Sequence, residues 1–177
     1  HALTVGEMAR FAARREDCEE VLTVIPTTGW KRDMFFEDTG LPWVAPSPNM
    51  PTIDTAFIYP GGCLLEATNV SEGRGTTQPF TLFGAPGIDS HRLCAELNRL
   101  ELPGVFFREA SFKPMFHKQA GKSCAGAAIH VLNRRSFLPY RTGVAVLMAL
   151  KSNPGCDFEW RDAPYEFVED IPAIDLL

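Results

Sequence analysis

One stretch of the chain gathers most of the polar chemistry. Glu66-Ala67-Thr68-Asn69-Val70-Ser71-Glu72-Gly73-Arg74-Gly75-Thr76-Thr77 brings carboxylates, an amide, hydroxyls and a guanidinium close together. Sugars are held by such mixtures, because each sugar hydroxyl both gives and takes hydrogen bonds. Glycines flank Arg74 on both sides, which permits unusual backbone angles and close approach of a ligand. Upstream, Pro46-Ser47-Pro48-Asn49-Met50-Pro51 is a proline-locked turn presenting Asn49, a pre-organised hydrogen-bonding group. A plainer reading of the same residues is that Glu72 and Arg74 pair with each other while Asn69 and Ser71 cap turns. A nucleotide site is disfavoured: no G-x-x-x-x-G-K-[ST] occurs, and the spacing around Arg74 is not G-x-G-x-x-G.

Other reactive residues are scattered. Cys124 and His130 stand six apart in a strand-like run, about 20 Å in an extended chain, so a thiol–imidazole pair there needs a bend. His91 and Cys94 form one i,i+3 pair, too few ligands for a metal. His117-Lys118 follows Phe112-Lys113-Pro114-Met115-Phe116, a positive spot beside aromatics that faces either an acidic ligand group or solvent. Five cysteines without a C-x-x-C pair argue against a zinc ribbon or a thioredoxin-type site. Buried thiols are the expectation, with one disulfide left open.

The elements that must position these groups follow from local signals. Thr4-Val5-Gly6-Glu7 has the form of a capping box, and the apolar spacing after it predicts helix over about Val5 to Cys18. Val21 to Ile25 reads as a strand ended by Pro26. Asp89 caps a second helix with Leu93, Leu97 and Leu100 on one face, stopped at Pro103-Gly104. Val105 to Phe107 and Ala127 to Leu132 read as strands. Pro139 suits the first turn of a third helix that ends at Ser152-Asn153-Pro154-Gly155. Phe158-Glu159-Trp160 and Tyr165-Glu166-Phe167 read as short strands or an edge segment. Half of the 14 prolines and half of the 14 glycines fall between Gly40 and Gly87, where only Asp54 to Tyr59 and Cys63 to Ala67 suggest short elements. An aromatic-rich irregular segment of that kind is expected to be ordered and to carry a site.

Helices alternating with strands predict an α/β fold, a mixed sheet with flanking helices beside a long Pro/Gly-rich ordered loop. The 177 residues are expected to form a single domain. A hydrophobic content of 45% with 22% charged residues suits a globular protein, and no apolar run is long enough to span a bilayer. A net charge of −5 argues against nucleic acid as partner. The chain begins at His1 within the approach to a helix, so it is expected to be part of a longer protein.

Several segments together resemble one family. Pro46-Ser47-Pro48-Asn49-Met50-Pro51, Tyr59-Pro60-Gly61, Thr68-Asn69-Val70-Ser71-Glu72-Gly73-Arg74-Gly75-Thr76 and Gly84-Ala85-Pro86 are similar to the exo-β-N-acetylmuramidases, the NamZ-type peptidoglycan hexosaminidases. His1-Ala2-Leu3-Thr4-Val5-Gly6-Glu7 and Cys124-Ala125-Gly126 fit as well, so the likeness runs along the whole chain. Two positions depart from the family pattern. Ala67 stands where glycine is usual, and Gly87 where a tryptophan usually offers a sugar-stacking face.

The resemblance implies that the chain is the C-terminal portion, the second domain of a two-domain glycosidase whose upstream Rossmann-like domain is a partner across the cleft. It implies release of terminal N-acetylmuramic acid from peptidoglycan glycans, extracytoplasmic location, a role in cell-wall degradation and muropeptide recycling, and neither cofactor nor metal. Glu72 and Glu66 are then the candidate catalytic carboxylates, with Glu72 preferred for its glycine surroundings. Arg74 is the candidate fork for the lactyl carboxylate of muramic acid. Asn49, Asn69, Ser71 and Thr76 complete the candidate substrate contacts. The alternative is a carbohydrate-binding module that holds cell-wall amino sugars without cleaving them. The isolated 177 residues are expected to be inactive.

Overall fold

The structure, a computed structural model, describes residues 3–165 and 168–177. Its internal contacts divide the chain into two compact units, one ending at Pro42 and the other running from Trp43 to Leu177.

The first unit is built on helix α1 (Val5–Arg15). The predicted capping box is present: Thr4 Oγ1 accepts from Glu7 N at 3.2 Å, and Glu7 Oε2 accepts from Thr4 N at 2.7 Å. Glu7 also takes Arg32 Nη2 at 2.7 Å. The expected strand at Val21 to Ile25 is replaced by a 3₁₀ turn (Glu19–Val21) and irregular chain. A strand exists only where another strand completes its hydrogen bonds, and no described residue pairs with this one.

The second unit holds a three-stranded sheet. Strand β1 (Leu82–Ala85), strand β2 (Val105–Phe112) and strand β3 (Cys124–Val131) lie in the order β1-β3-β2. Both pairings are antiparallel, so the sheet is not mixed as expected. Helix α2 (Ile53–Gly62) runs through the Pro/Gly-rich region, started by Thr52, whose hydroxyl accepts from Thr55 N. Pro60 removes an interior N–H, and the helix gives way to a 3₁₀ turn (Cys63–Ala67) that leads into the polar stretch. Helix α3 (Ser90–Arg99) starts on the predicted cap, Asp89 Oδ1 accepting from Arg92 N at 3.0 Å. Helix α4 (Pro139–Ser152) begins with Pro139 in its first turn. A short helix α5 (Ala173–Leu176) ends the chain.

These elements share one core. Phe83 of β1, Leu93 and Leu97 of α3, Phe107 of β2 and Leu150 of α4 are almost wholly buried within it. Each such side chain stabilises the unit by about 1.5–3 kcal/mol. Helices α2 and α4 touch at Gly61 and Gly143, where a Cβ on either would run into the other helix's backbone. Asn98 ties α3 to the sheet, donating to Phe107 O at 2.8 Å and accepting from Phe107 N at 2.9 Å. At the tail, Trp160 bridges Thr68, and Arg161 N donates to Ala67 O at 2.8 Å, so Phe158-Glu159-Trp160 does lie as an edge segment on the polar stretch. Of the second expected tail strand, Tyr165 bridges Val168, while Glu166 and Phe167 lie outside the described residues.

Candidate functional site

The polar stretch begins where the 3₁₀ turn leaves α2 and ends where β1 starts. Ser71 fixes its middle to the sheet: Ser71 N donates to Gly84 O and Gly84 N to Ser71 O, each at 2.9 Å. The backbone then reverses through Gly73 and Gly75, both left-handed. Gly75 has a second reason to be glycine. A Cβ there would lie 2.6 Å from Phe116 O and 2.8 Å from Phe116 N, because the segment after β2 rests directly on it.

That segment delivers the partner of Glu72. Glu72 has no accessible surface. Its Oε1 accepts from Arg74 Nη1 at 2.8 Å and faces His117 Nδ1 at 3.3 Å, while Oε2 is ion-paired with Lys118 Nζ at 2.6 Å. Lys118 also donates to Leu65 O at 2.8 Å and Thr68 O at 3.0 Å. Arg74 reaches on to Glu66, Nη2 to Oε1 at 3.2 Å, and its guanidinium lies over the Phe80 ring at 4.8 Å. Tyr165 Oη donates to the other Glu66 oxygen at 2.8 Å. The result is a chain of alternating charges: Lys118, Glu72, Arg74, Glu66.

Electrostatics sets the protonation states. Burial works against ionising Glu72, but the Lys118 ammonium and the Arg74 guanidinium outweigh it and hold the carboxyl below its usual range. Burial lowers the Lys118 pKa, with the Glu72 carboxylate pulling the other way. Burial also works against the Arg74 charge, yet Glu72 and Glu66 raise its pKa. The two cations thus favour the ionised form of Glu72.

The sequence-predicted residues divide accordingly. Glu66, Glu72 and Arg74 do come together. Glu72 is sealed from solvent, so it can act on a sugar only through the cations it holds. Arg74 is 19% exposed at its side chain, and each of its terminal nitrogens gives one contact to a carboxylate, Nη1 to Glu72 and Nη2 to Glu66. Ser71 Oγ accepts from Gly73 N, and Thr76 Oγ1 joins Gly73 O and Gln78 N, so both brace turns. The Asn69 side chain clamps the tail, donating to Asp157 O at 2.6 Å and accepting from Glu159 N at 3.1 Å. Asn49 sits in the Pro46–Pro51 turn, its N–H on Ser47 Oγ. The plainer reading holds for the Glu72–Arg74 pair and for Ser71, whereas the Asn69 side chain secures the tail and caps no turn.

Sequence reasoning underrated His117 and Lys118. The signal was present as a positive dipeptide after an aromatic run, but its counter-charge lies far away in sequence. His117, Lys118, Lys122 and Arg161 line a depression of about 470 Å³ with the amides Asn69 and Gln119. A separate groove of about 350 Å³ runs past Thr52, Asp54, Gln78 and His130. Its carboxylate, Asp54, is paired with Arg134 at 2.8 Å. Cys124 and His130 lie at opposite ends of the straight strand β3 and do not pair. All five cysteines are free thiols, and among the described residues no group of three or more His, Cys, Asp or Glu is placed to hold a metal. No helix is long and apolar enough to cross a membrane among the described residues.

Known proteins match along the whole chain. The family model described as Exo-beta-N-acetylmuramidase NamZ, C-terminal, matches residues 57–177, and its N-terminal counterpart matches residues 1–54. The chain is 47% identical over 160 residues to the peptidoglycan beta-N-acetylmuramidase NamZ of Bacillus subtilis (strain 168), a match that covers 90% of this chain and 39% of that protein. A DUF1343 family protein from Bacteroides fragilis is similar in structure with a TM-score of 0.76 and 32% identity, over 85% of this chain and 40% of that one. A second DUF1343 protein from the same organism shares the fold, with a TM-score of 0.61 and 22% identity over 99% of this chain and 44% of its own. The chain therefore spans about two fifths of the length of these relatives.

Proposed function

The chain belongs to the exo-beta-N-acetylmuramidase NamZ family, and we propose that it forms one wall of a glycosidase site that releases terminal N-acetylmuramic acid from the non-reducing ends of peptidoglycan glycans. The observation that carries this is the 47% identity to a peptidoglycan beta-N-acetylmuramidase over 90% of the chain. In this reading the protein works outside the cytoplasm, and an upstream Rossmann-like domain supplies the opposite wall.

Glycoside hydrolysis needs a proton for the leaving oxygen and stabilisation of an oxocarbenium-like transition state. Glu72 and Glu66 serve the reaction as positioning residues. Between them they fix Arg74, Lys118 and His117 in one arrangement before substrate arrives, so no reorganisation is required during the reaction. The described cluster offers no accessible carboxylic acid, so the proton donor comes from the opposite wall.

Release of the aglycone from a chromogenic N-acetylmuramic acid glycoside tests the proposal. The full-length protein is expected to turn it over, and the isolated 177 residues are not. Glycan binding by the full-length protein without any release would instead make it a carbohydrate-binding module for cell-wall amino sugars.

A further inference from the structure

The turn between β2 and β3 is held in a conformation that costs energy. His117 (φ 67°) and Gln119 (φ 57°) are both left-handed without being glycine. Such residues persist only where the surroundings enforce them. Here Met115 N donates to Gly75 O at 2.8 Å, Gly121 N to Pro114 O at 2.8 Å, and Gln119 Nε2 to Asn69 O at 2.9 Å. The strain holds His117 at the rim, 42% exposed at its side chain, with buried Glu72 behind its Nδ1.

Charge accumulates at that rim. Lys118 is matched by Glu72, and Arg74 by Glu66. Lys122 and Arg161 remain, with His117 beside them against Glu72, and among the described residues no carboxylate lines the depression they share. Among the described residues, Arg161 Nη1 donates to Glu66 O at 3.5 Å and Lys122 Nζ to Gln119 Oε1 at 3.3 Å. This concentration of cations stands out in a chain whose net charge is −5.

We propose that His117, Lys122 and Arg161 form an anion subsite that takes a carboxylate of the amino-sugar substrate. Arg161 presents its guanidinium fork, Lys122 a mobile point charge, and His117 a ring positioned by Glu72. The subsite rests on the muramidase reading for its ligand. That carboxylate belongs either to the lactyl ether or to a peptide stem attached there.

The test uses the full-length protein and its R161Q/K122Q variant, both changes lying on exposed side chains. Three chromogenic glycosides are compared: N-acetylmuramic acid, its lactyl methylamide, and a muramoyl dipeptide. The variant is expected to raise KM about tenfold more for a carboxylate-bearing substrate than for the methylamide. A rise with N-acetylmuramic acid assigns the lactyl group, and a rise confined to the dipeptide assigns the stem. An equal change on all three, or none, overturns the subsite. Calorimetric titration with N-acetylmuramic acid and N-acetylglucosamine separates the two proposals. If no glycoside is cleaved yet a preference for the acid vanishes in the variant, the hydrolase reading fails and the subsite stands. If cleavage proceeds with no such preference in either protein and the variant changes KM equally on all three glycosides, the reverse holds.

Discussion

The two units differ in what they bury. Up to Pro42, Ala13 is the buried hydrophobic residue among those described, while Val5 and Ile25 are 86% and 87% exposed and Phe11 faces solvent too. From Trp43 onward, Phe83, Leu93, Leu97 and Leu150 have essentially no accessible surface. The first unit has good local signals, including a complete capping box, and no core of its own. The second has plainer local signals and a dense core. Caps and propensities thus start a helix, but tertiary burial sets how firmly a region is held. Among the described residues it is the second unit that sustains a buried ion-pair chain, and four of the five left-handed residues other than glycine lie there, Asp17 being the fifth.

The largest expected effect sharpens that contrast. Phe83→Ala should destabilise the second unit by about 3–5 kcal/mol, whereas Phe11→Ala should change the stability of the 177-residue chain by less than about 0.5 kcal/mol. Urea unfolding of both variants decides it, and comparable losses would erase the distinction.

Next comes Glu72→Gln, which leaves Lys118 buried without its carboxylate. The loss should be about 3–5 kcal/mol, partly recovered in Glu72→Gln/Lys118→Met, where the orphaned charge is gone too. The same carboxylate gives a pH signature. Its folded pKa lies below the unfolded one, so its stabilisation is present above the ordinary carboxylate range and is lost as pH falls through the folded value. Thermal unfolding between neutral and acid pH should show this fall in the wild type and a shallower one in Glu72→Gln. A double variant no better than the single one would show that Lys118 is not held by charge pairing.

The smallest effect lies in the first unit. Thr4→Ala removes the capping hydroxyl of α1 and should cost that helix about 1 kcal/mol. Faster amide exchange is expected over Val5–Arg15, with exchange in β3 unaltered. A change in β3 would mean that the two regions do not respond separately.

What could be read from sequence follows the range of the interaction. Thr4 and Asp89 act on residues three away and Pro139 on its own backbone angle, and those three helix starts were legible. Val21 to Ile25 looked like a strand by composition, but a strand depends on a partner that local sequence cannot display. Leu82 to Ala85 was the converse case, a strand hidden in a Gly/Pro-rich segment and formed because β3 is beside it. In the site, Glu66, Glu72 and Arg74 were legible as a cluster. That Lys118 arrives from beyond β2 to pair with Glu72 depends on the fold.

The most direct test is a backbone amide titration of the isotope-labelled full-length protein with N-acetylmuramic acid. Shifts concentrated on Asn69, His117 to Gln119, Lys122 and Arg161 are predicted. Shifts confined to the groove past Thr52, Asp54 and His130, with the rim of His117 silent, would contradict the assignment of this face as a wall of the site.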